Sequence, residues 1–84
     1  MSRHFAQPRA LAISSDVADR PAWLRWRGRR ERVQICNEWR VEGAWWQGQP
    51  AAHAYYTLLT ASRLALVVFR DEGDGRWYLE QVLD

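Results

Sequence analysis

The sequence predicts an all-β fold, a single small antiparallel meander of five to six strands that forms a twisted sheet or a partly open barrel. Two observations lead to this prediction. Apolar and polar residues alternate through residues 32–41 with one interruption, and short apolar segments recur between clusters of Gly, Pro, Asp and Ser. The 84 residues suit one domain overall, with a short strand and loop in residues 1–21 and the antiparallel β domain in residues 22–84.

The clearest strand is Arg32–Val41. Alternation places successive side chains of a strand on opposite faces. The predicted buried face carries Val33, Ile35, Asn37, Trp39 and Val41. Because Asn37 interrupts this apolar face, we expect it to mark a β-bulge or a hydrogen-bonded polar contact.

Upstream of this strand the pattern is weaker. Residues 9–14 are sufficient for one short strand, and residues 15–21 read as a loop. The segment Ala22–Arg27 predicts a strand that pairs with the Arg32 strand through a turn at Gly28–Arg30.

Downstream, a three-stranded meander is predicted. Its strands are His53–Thr60, Leu64–Phe69 and Arg76–Leu83, and its turns are Ala61–Arg63 and Asp71–Gly75. In the last strand, Trp77, Leu79 and Leu83 are expected on one face. A short helical turn is compatible with residues 50–54.

The composition is apolar and aromatic enough for a folded core. Apolar residues make up 48% of the chain, which includes six Trp, three Tyr and two Phe. Each buried aromatic side chain removes about 150–250 Å² from water. Intrinsic disorder is therefore excluded.

All twelve cationic residues are arginine. A GC-rich genome accounts for this usage without any function. A functional interpretation is that arginine forks bind phosphate, carboxylate or aromatic partners better than lysine does. The net charge of +2 argues against a highly basic nucleic-acid protein.

No constellation of catalytic, metal-binding or cofactor-binding residues is recognisable, so we expect no enzyme, metal or cofactor. Cys36 is the only cysteine, and His4 and His53 lie far apart. The acidic cluster at residues 71–74 reads as a solvated hairpin turn rather than a calcium loop. Without a signal core or an apolar run of about 18 residues, we expect no membrane contact and a cytoplasmic location.

An arginine-rich hairpin is the first candidate binding surface. Its members are Arg25, Arg27, Arg29, Arg30, Arg32 and Arg40. The alternation predicts that Arg25 and Arg27 share a face, as do Arg32 and Arg40. Such a patch could follow the phosphates of a nucleic acid. The alternative is a soluble hairpin whose charges prevent edge-to-edge pairing.

Two aromatic pairs form the second candidate surface, Trp45 with Trp46 and Tyr55 with Tyr56. Neighbours in an extended segment face opposite ways, so we expect one of each pair in the core and the other exposed. Exposed aromatics beside arginines can stack on unpaired bases or form a protein-binding hot spot. Alternatively, these aromatics pack over the open end of a small sheet.

Four segments together resemble a known pattern: WRVEGAWWQG from Trp39, AYYTL from Ala54, FRD from Phe69 and GRWYLEQVLD from Gly75. The pattern is similar to a family of short uncharacterised bacterial proteins and to the C-terminal tail of ImuB-like proteins. The latter are inactive polymerase homologues of a damage-induced mutagenesis cassette. The matching positions are Trp39, Gly43, Trp46, Tyr55, Tyr56, Arg70, Asp71, Trp77 and Leu79.

The chain departs from this pattern at two places. Residues 52–54 lack the usual charged residue before the tyrosines, and residues 61–63 replace a turn that usually contains Gly. The resemblance implies a noncatalytic accessory domain that contacts a protein partner in DNA repair or translesion synthesis. The alternatives from the residues themselves are direct binding of single-stranded nucleic acid and a self-associating structural domain; the oligomeric state stays open.

Overall fold

The protein is described from a computed structural model that covers residues 3–42 and 52–83. It contains six antiparallel strands in meander order. They are β1 (Arg3–Ser15), β2 (Pro21–Trp26), β3 (Arg29–Glu42), β4 (Ala52–Thr60), β5 (Ala65–Asp71) and β6 (Trp77–Leu83). Because β1 pairs with both β2 and β6, the sheet closes into a small barrel. The all-β meander is confirmed, and the barrel is closed rather than partly open.

The predicted strands are all present, with different ends. The first strand is much longer than predicted, since it begins at Arg3 rather than Arg9. The helical turn suggested for residues 50–54 is wrong at Ala52–Ala54, which belong to β4. Residues 50 and 51 lie outside the described part of the chain.

The core fills the inside of the barrel. Its fully buried aliphatic side chains come from β2, β4, β5 and β6: Leu24, Leu58, Leu66, Val68 and Leu79. Trp77 joins them, and half-buried residues of β1 and β3 complete the packing. Alternate residues of each strand point inward, so every strand contributes to this single core.

A β-bulge divides β3 into two halves with opposite orientation. Ile35 lies opposite Leu58 on the inner face, and the next pair is Asn37 with Thr57 on the outer face. Cys36, between them, has no paired residue in β4. The extra residue turns the later side chains over. Trp39 and Val41 therefore lie outside, 40% and 47% exposed.

The predicted buried face is thus correct for Val33 and Ile35 and wrong for Trp39 and Val41. The irregularity expected at Asn37 is confirmed between Ile35 and Asn37. The Asn37 Oδ1 atom accepts a hydrogen bond from the Glu38 N–H at 3.0 Å.

A second irregularity changes the faces of β6. Val68 lies opposite Leu79, whereas the neighbouring Val67 lies opposite Gln81. Val82 consequently packs against the core, and Leu83 falls on the other face. The prediction that Leu83 shares a face with Trp77 and Leu79 is wrong for this reason.

The two ends of the barrel differ in charge pairing. Connections of an antiparallel meander alternate between the ends, so the β1–β2 and β5–β6 turns lie at one end. Ion pairs cross this part of the barrel, and we call it the ion-paired end: Arg70–Asp19, Arg40–Glu72 at 2.5 Å and Arg20–Glu38 at 3.2 Å. The opposite end holds the β2–β3 and β4–β5 turns, and here the candidate site lies.

Candidate anion-binding site

A two-residue turn joins β2 to β3 at the edge of the candidate site. Trp26 pairs with Arg29, which leaves Arg27 and Gly28 as the loop. Their φ values are 51° and 78°, as a type I′ turn requires. Asn-Gly is the favoured pair in such a turn, and a residue with a Cβ atom in the left-handed region costs about 1–2 kcal/mol. An arginine therefore stands where the backbone favours Asn or Gly.

The β4–β5 turn repeats this situation. Arg63 has a φ of 71°, again in the left-handed region. The buried Thr60 holds the turn, because its Oγ1 atom accepts a hydrogen bond from the Leu64 N–H at 3.1 Å. Glu31 of β3 accepts a hydrogen bond from the Ser62 N–H at 2.8 Å. Both turns thus carry an arginine in a conformation that arginine rarely adopts.

The outer face of the β2–β3 hairpin is a cluster of cations around one indole ring. Arg25 lies directly opposite Arg30, and Trp23 lies directly opposite Arg32. The Arg30 guanidinium is 4.3 Å from the centre of the Trp23 ring, and that of Arg32 is 5.6 Å away. Cation–π contact supports this arrangement by about 0.5–1 kcal/mol at exposed sites.

We call the group Arg25, Arg27, Arg29, Arg30, Arg32 and Arg63 the arginine end. None of its members forms an ion pair with a residue in the described ranges 3–42 and 52–83. Glu31 is the acidic residue among them, and hydrogen bonds from Ser62 lower its pKa below the usual 4.5. One charged carboxylate therefore faces several guanidinium groups, and the local charge is strongly positive.

The mouth of the barrel at this end forms a cavity of about 820 Å³. Its floor continues the core and consists of Leu11, Trp26, Leu64, Leu79 and Val82. Its rim carries Arg9, Arg25, Arg27, Arg29, Glu31 and Arg63. The volume lies within the range of about 300–1,000 Å³ that is typical of small-molecule sites.

Most of the predicted arginine surface is assembled by the fold. Arg25, Arg30 and Arg32 share the outer face of the hairpin. Arg27 lies in the turn rather than in a strand, so it does not share a face with Arg25 through strand alternation as predicted. Both nevertheless reach the rim of the cavity.

Arg40 is separated from the predicted surface. The bulge in β3 places it opposite Ala54, on the face opposite to that of Arg32. Its guanidinium pairs with Glu42 at 3.0 Å and with Glu72 at 2.5 Å. Arg40 therefore belongs to the ion-paired end, and the prediction that it points with Arg32 is wrong.

Tyr55 and Tyr56 lie on opposite faces, as predicted, and both are half-buried. Tyr56 packs inward with its ring 5.5 Å from that of Trp77. Tyr55 stacks outward on Trp39 at 5.4 Å. Burial raises the pKa of both phenols. The other predicted pair, Trp45 and Trp46, lies outside the described residues.

Outward-facing aromatic rings cross four strands, and we call them the outer aromatic row: Trp39, Tyr55, Phe69 and Tyr78. Phe69 lies in the middle of the row, with its ring 5.1 Å from Tyr55 and 5.3 Å from Tyr78. It is only 4% exposed although it lies outside the barrel. The row is therefore mostly packing, and Trp39 is its exposed member.

Sequence reasoning missed several residues of the cavity, namely Arg9, Trp26, Arg63 and Leu64. They come from β1, β2 and the β4–β5 turn, and only barrel closure brings them together. One signal was present, since residues 61–63 replace a glycine-containing turn. Arg63 belongs to this replaced turn, so the unusual turn sequence was the signal that pointed to Arg63.

The described residues hold no group of three potential metal ligands among His, Cys, Asp and Glu. They also include no helix long and apolar enough to span a membrane. Searches against protein-family models, curated proteins and solved structures found no match for this chain. The resemblance to the ImuB-like tail therefore stays a prediction.

Proposed function

We propose that this protein is a noncatalytic domain that binds single-stranded nucleic acid at the arginine end. The observation that carries the proposal is the direct cross-strand pair Arg25–Arg30, which has no acidic partner in the described ranges. Like charges in directly opposite positions destabilise a sheet. A bound phosphate between the two guanidinium groups would turn this repulsion into attraction.

The separation of paired and unpaired arginines supports the same proposal. Arg20, Arg40 and Arg70 are held by carboxylates at the ion-paired end. The arginine end keeps its charges available, although the whole chain carries only +2. A local positive field of this kind attracts a polyanion in a salt-dependent manner.

Aromatic side chains beside these arginines favour a single strand over a duplex. The half-buried Trp23 ring lies on the outer face among Arg25, Arg30 and Arg32. A groove of about 110 Å³ beside it is lined by Ser14, Trp23 and Arg25, among others. Stacking of unpaired bases on aromatic rings is worth about 1–3 kcal/mol per base and does not require a particular sequence.

Fluorescence anisotropy of a labelled oligothymidylate, titrated at several salt concentrations, tests this function. We expect log K to fall linearly with log salt, with a slope of about −0.7 for each phosphate contact on a single strand. The variant Arg25→Gln should weaken binding and flatten the slope. Arg20→Gln removes the same charge at the ion-paired end and should have a much smaller effect. Binding without a salt slope, or equal losses in the two variants, would contradict the proposal.

A second candidate function rests on the exposed end of the outer aromatic row. Trp39 and Val41 are large apolar side chains that lie two positions apart on the same outer face of β3. Tryptophan is enriched among the residues that dominate protein–protein binding. With the resemblance to ImuB-like tails, this surface supports contact with a polymerase-related protein in bacterial DNA damage tolerance.

A pull-down from cells treated with a DNA-damaging agent tests this contact. The wild-type domain should retain a polymerase-related protein, and Trp39→Ser should lose it. Arg32→Gln, on the surface of the hairpin, should retain it. Recovery of no repair or replication protein would reject this second function and leave the first untouched.

A further inference from the structure

We propose that the cavity at the mouth of the barrel is a nucleotide site, which takes one nucleoside phosphate with its base on the apolar floor and its phosphate at the arginine rim. The nucleoside phosphate comes either from solution or from the end of a bound strand. If the ligand is the end of a bound strand, the inference rests on the proposed function. If the ligand is a free nucleotide, the inference is independent of it.

The shape and lining of the cavity fit a ligand with one flat apolar part and one anionic part. The floor consists of core side chains, with the indole of Trp26 beside Leu64 and Leu79. The Arg27 guanidinium lies 5.8 Å from the centre of the Trp26 ring, at the boundary between floor and rim. Nucleobases stack on both indole rings and guanidinium planes.

The charge of the rim selects a phosphate rather than a carboxylate. Arg25, Arg27, Arg29 and Arg63 line the cavity, whereas Glu31 is the acidic lining residue. A monocarboxylate would leave most of this positive charge unbalanced. A nucleoside monophosphate carries a charge of about −1.5 to −2 near neutral pH and presents several acceptor oxygens to arginine forks.

Backbone strain at the rim is an independent observation in favour of a ligand. Arg27 and Arg63 both adopt positive φ values, in two different turns, and both line the same cavity. Asn or Gly would fit these backbone positions better. Strained conformations are concentrated at ligand sites, where a side chain is kept for binding rather than for stability. The two turns therefore place arginine at the rim in spite of its conformational cost.

Titration of the ¹⁵N-labelled protein with thymidine monophosphate, thymidine and inorganic phosphate, followed by NMR, tests the site. We expect the nucleotide to bind at least tenfold more tightly than either part alone, with shifts at the amides of Leu64 and Leu79. Equal affinity for inorganic phosphate and the nucleotide would overturn the proposal, as would shifts confined to the outer face around Trp23.

The variants Arg27→Asn and Arg63→Asn sharpen this test, because Asn is the better residue at positive φ. Both variants should fold at least as well as the wild type and should bind the nucleotide at least tenfold more weakly. Arg20→Gln removes a charge at the ion-paired end and should leave nucleotide affinity within twofold. Unchanged affinity in both rim variants would contradict the site without any ambiguity from misfolding.

Competition with oligonucleotides separates the two sources of the ligand. If the cavity takes a strand end, a linear 5′-phosphorylated oligothymidylate displaces thymidine monophosphate and a circular one does not. If neither oligonucleotide displaces it, the ligand is a free nucleotide. Salt-dependent binding of the circular oligonucleotide in a protein that does not bind the nucleotide would reject the cavity and retain the proposed function.

Discussion

The positive φ angles of Arg27 and Arg63 bear on both the stability of this protein and its candidate site. Both residues have positive φ and both reach the rim of the cavity. Most positions in a small domain are selected for packing, yet these two turns carry arginine where Asn or Gly is more stable. At these two positions, arginine lowers the stability of the fold and supplies positive charge to the candidate site.

The first prediction is that Arg27→Asn and Arg63→Asn each stabilise the protein. Asn tolerates the left-handed region better than arginine, so we expect the free energy of unfolding to rise by about 0.5–1 kcal/mol. Urea denaturation at neutral pH measures this change. Arg32→Asn, within a strand, should not stabilise the protein. A loss of stability in both turn variants would show that these arginines contribute to folding rather than only to binding.

The second prediction concerns Glu31 and pH. Hydrogen bonds from Ser62 lower the pKa of Glu31 in the folded state below its usual 4.5, so the native protein binds this proton less readily than the unfolded chain. The stabilisation is present above that usual value and is lost as the pH falls through the folded-state pKa. The stability difference between wild type and Glu31→Gln should therefore shrink as the pH is lowered from about 6 through the folded-state pKa. Thermal unfolding at several pH values measures this difference.

A pH-independent difference between these two proteins would contradict the role of the Glu31 carboxylate. The same variant gives a second readout, since it removes a negative charge from the rim of the cavity. Anion binding at the arginine end should therefore become tighter at neutral pH in Glu31→Gln. Glu42→Gln, at the ion-paired end, is the matched control for this effect.

At the level of the strands, bulges decide which side chains reach the core. The extra residue Cys36 turns Trp39 and Val41 outward, where Trp39 stacks on Tyr55. The same bulge moves Arg40 away from the hairpin surface. One inserted residue thereby determines both the outer aromatic row and the membership of the arginine end.

The third prediction is that deletion of Cys36 leaves the later side chains of β3 on their present faces, because the register then runs directly from the Ile35–Leu58 pair to the Asn37–Thr57 pair. Trp39 should stay outward against Tyr55, and the free energy of unfolding should fall by less than about 2 kcal/mol. Cys36→Ser keeps the bulge, and the exposed side chain should change stability by less than about 0.5 kcal/mol. Chemical denaturation of both variants measures these changes. A loss of more than about 3 kcal/mol on deletion would show that the fold requires the bulge itself.

At the level of the whole molecule, closure of the barrel creates the candidate site. Strand β1 joins β2 to β6, and the cavity is lined by residues from β1 as well as from the two turns of the arginine end. The ion pairs Arg70–Asp19 and Arg20–Glu38 link parts of the chain at the other end. The molecule is therefore asymmetric in charge along the barrel axis, with a positively charged mouth.

The fourth prediction tests closure by β1. Ile13 points inward opposite the fully buried Leu24, so Ile13→Asp should lower the free energy of unfolding by about 2–3 kcal/mol. Ser14 points outward from the same strand and is exposed, so Ser14→Asp should change it by less than about 0.5 kcal/mol. Thermal unfolding followed by circular dichroism compares them. Equal stability of the two variants would mean that β1 does not contribute to the core.

The sequence by itself determined the fold class, the order of the strands and most of the turns. These features depend on local patterns, namely alternation over short segments and the residues that favour turns. Such patterns can be recognised in the sequence without knowledge of the tertiary structure. The arginine-rich hairpin was predicted in the same way, because Arg25, Arg30 and Arg32 lie on two neighbouring strands joined by a short turn.

Only the tertiary structure decided which faces are buried beyond each bulge, that the sheet closes, and that Arg63 joins Arg27 around one cavity. A bulge changes the register without changing the composition, so the positions of Trp39, Arg40 and Val82 could not be derived from alternation alone. Closure depends on the accumulated twist and stagger of all the strands, which no single segment encodes. The candidate site lies at the mouth of the barrel because residues distant in sequence meet only when that closure is complete.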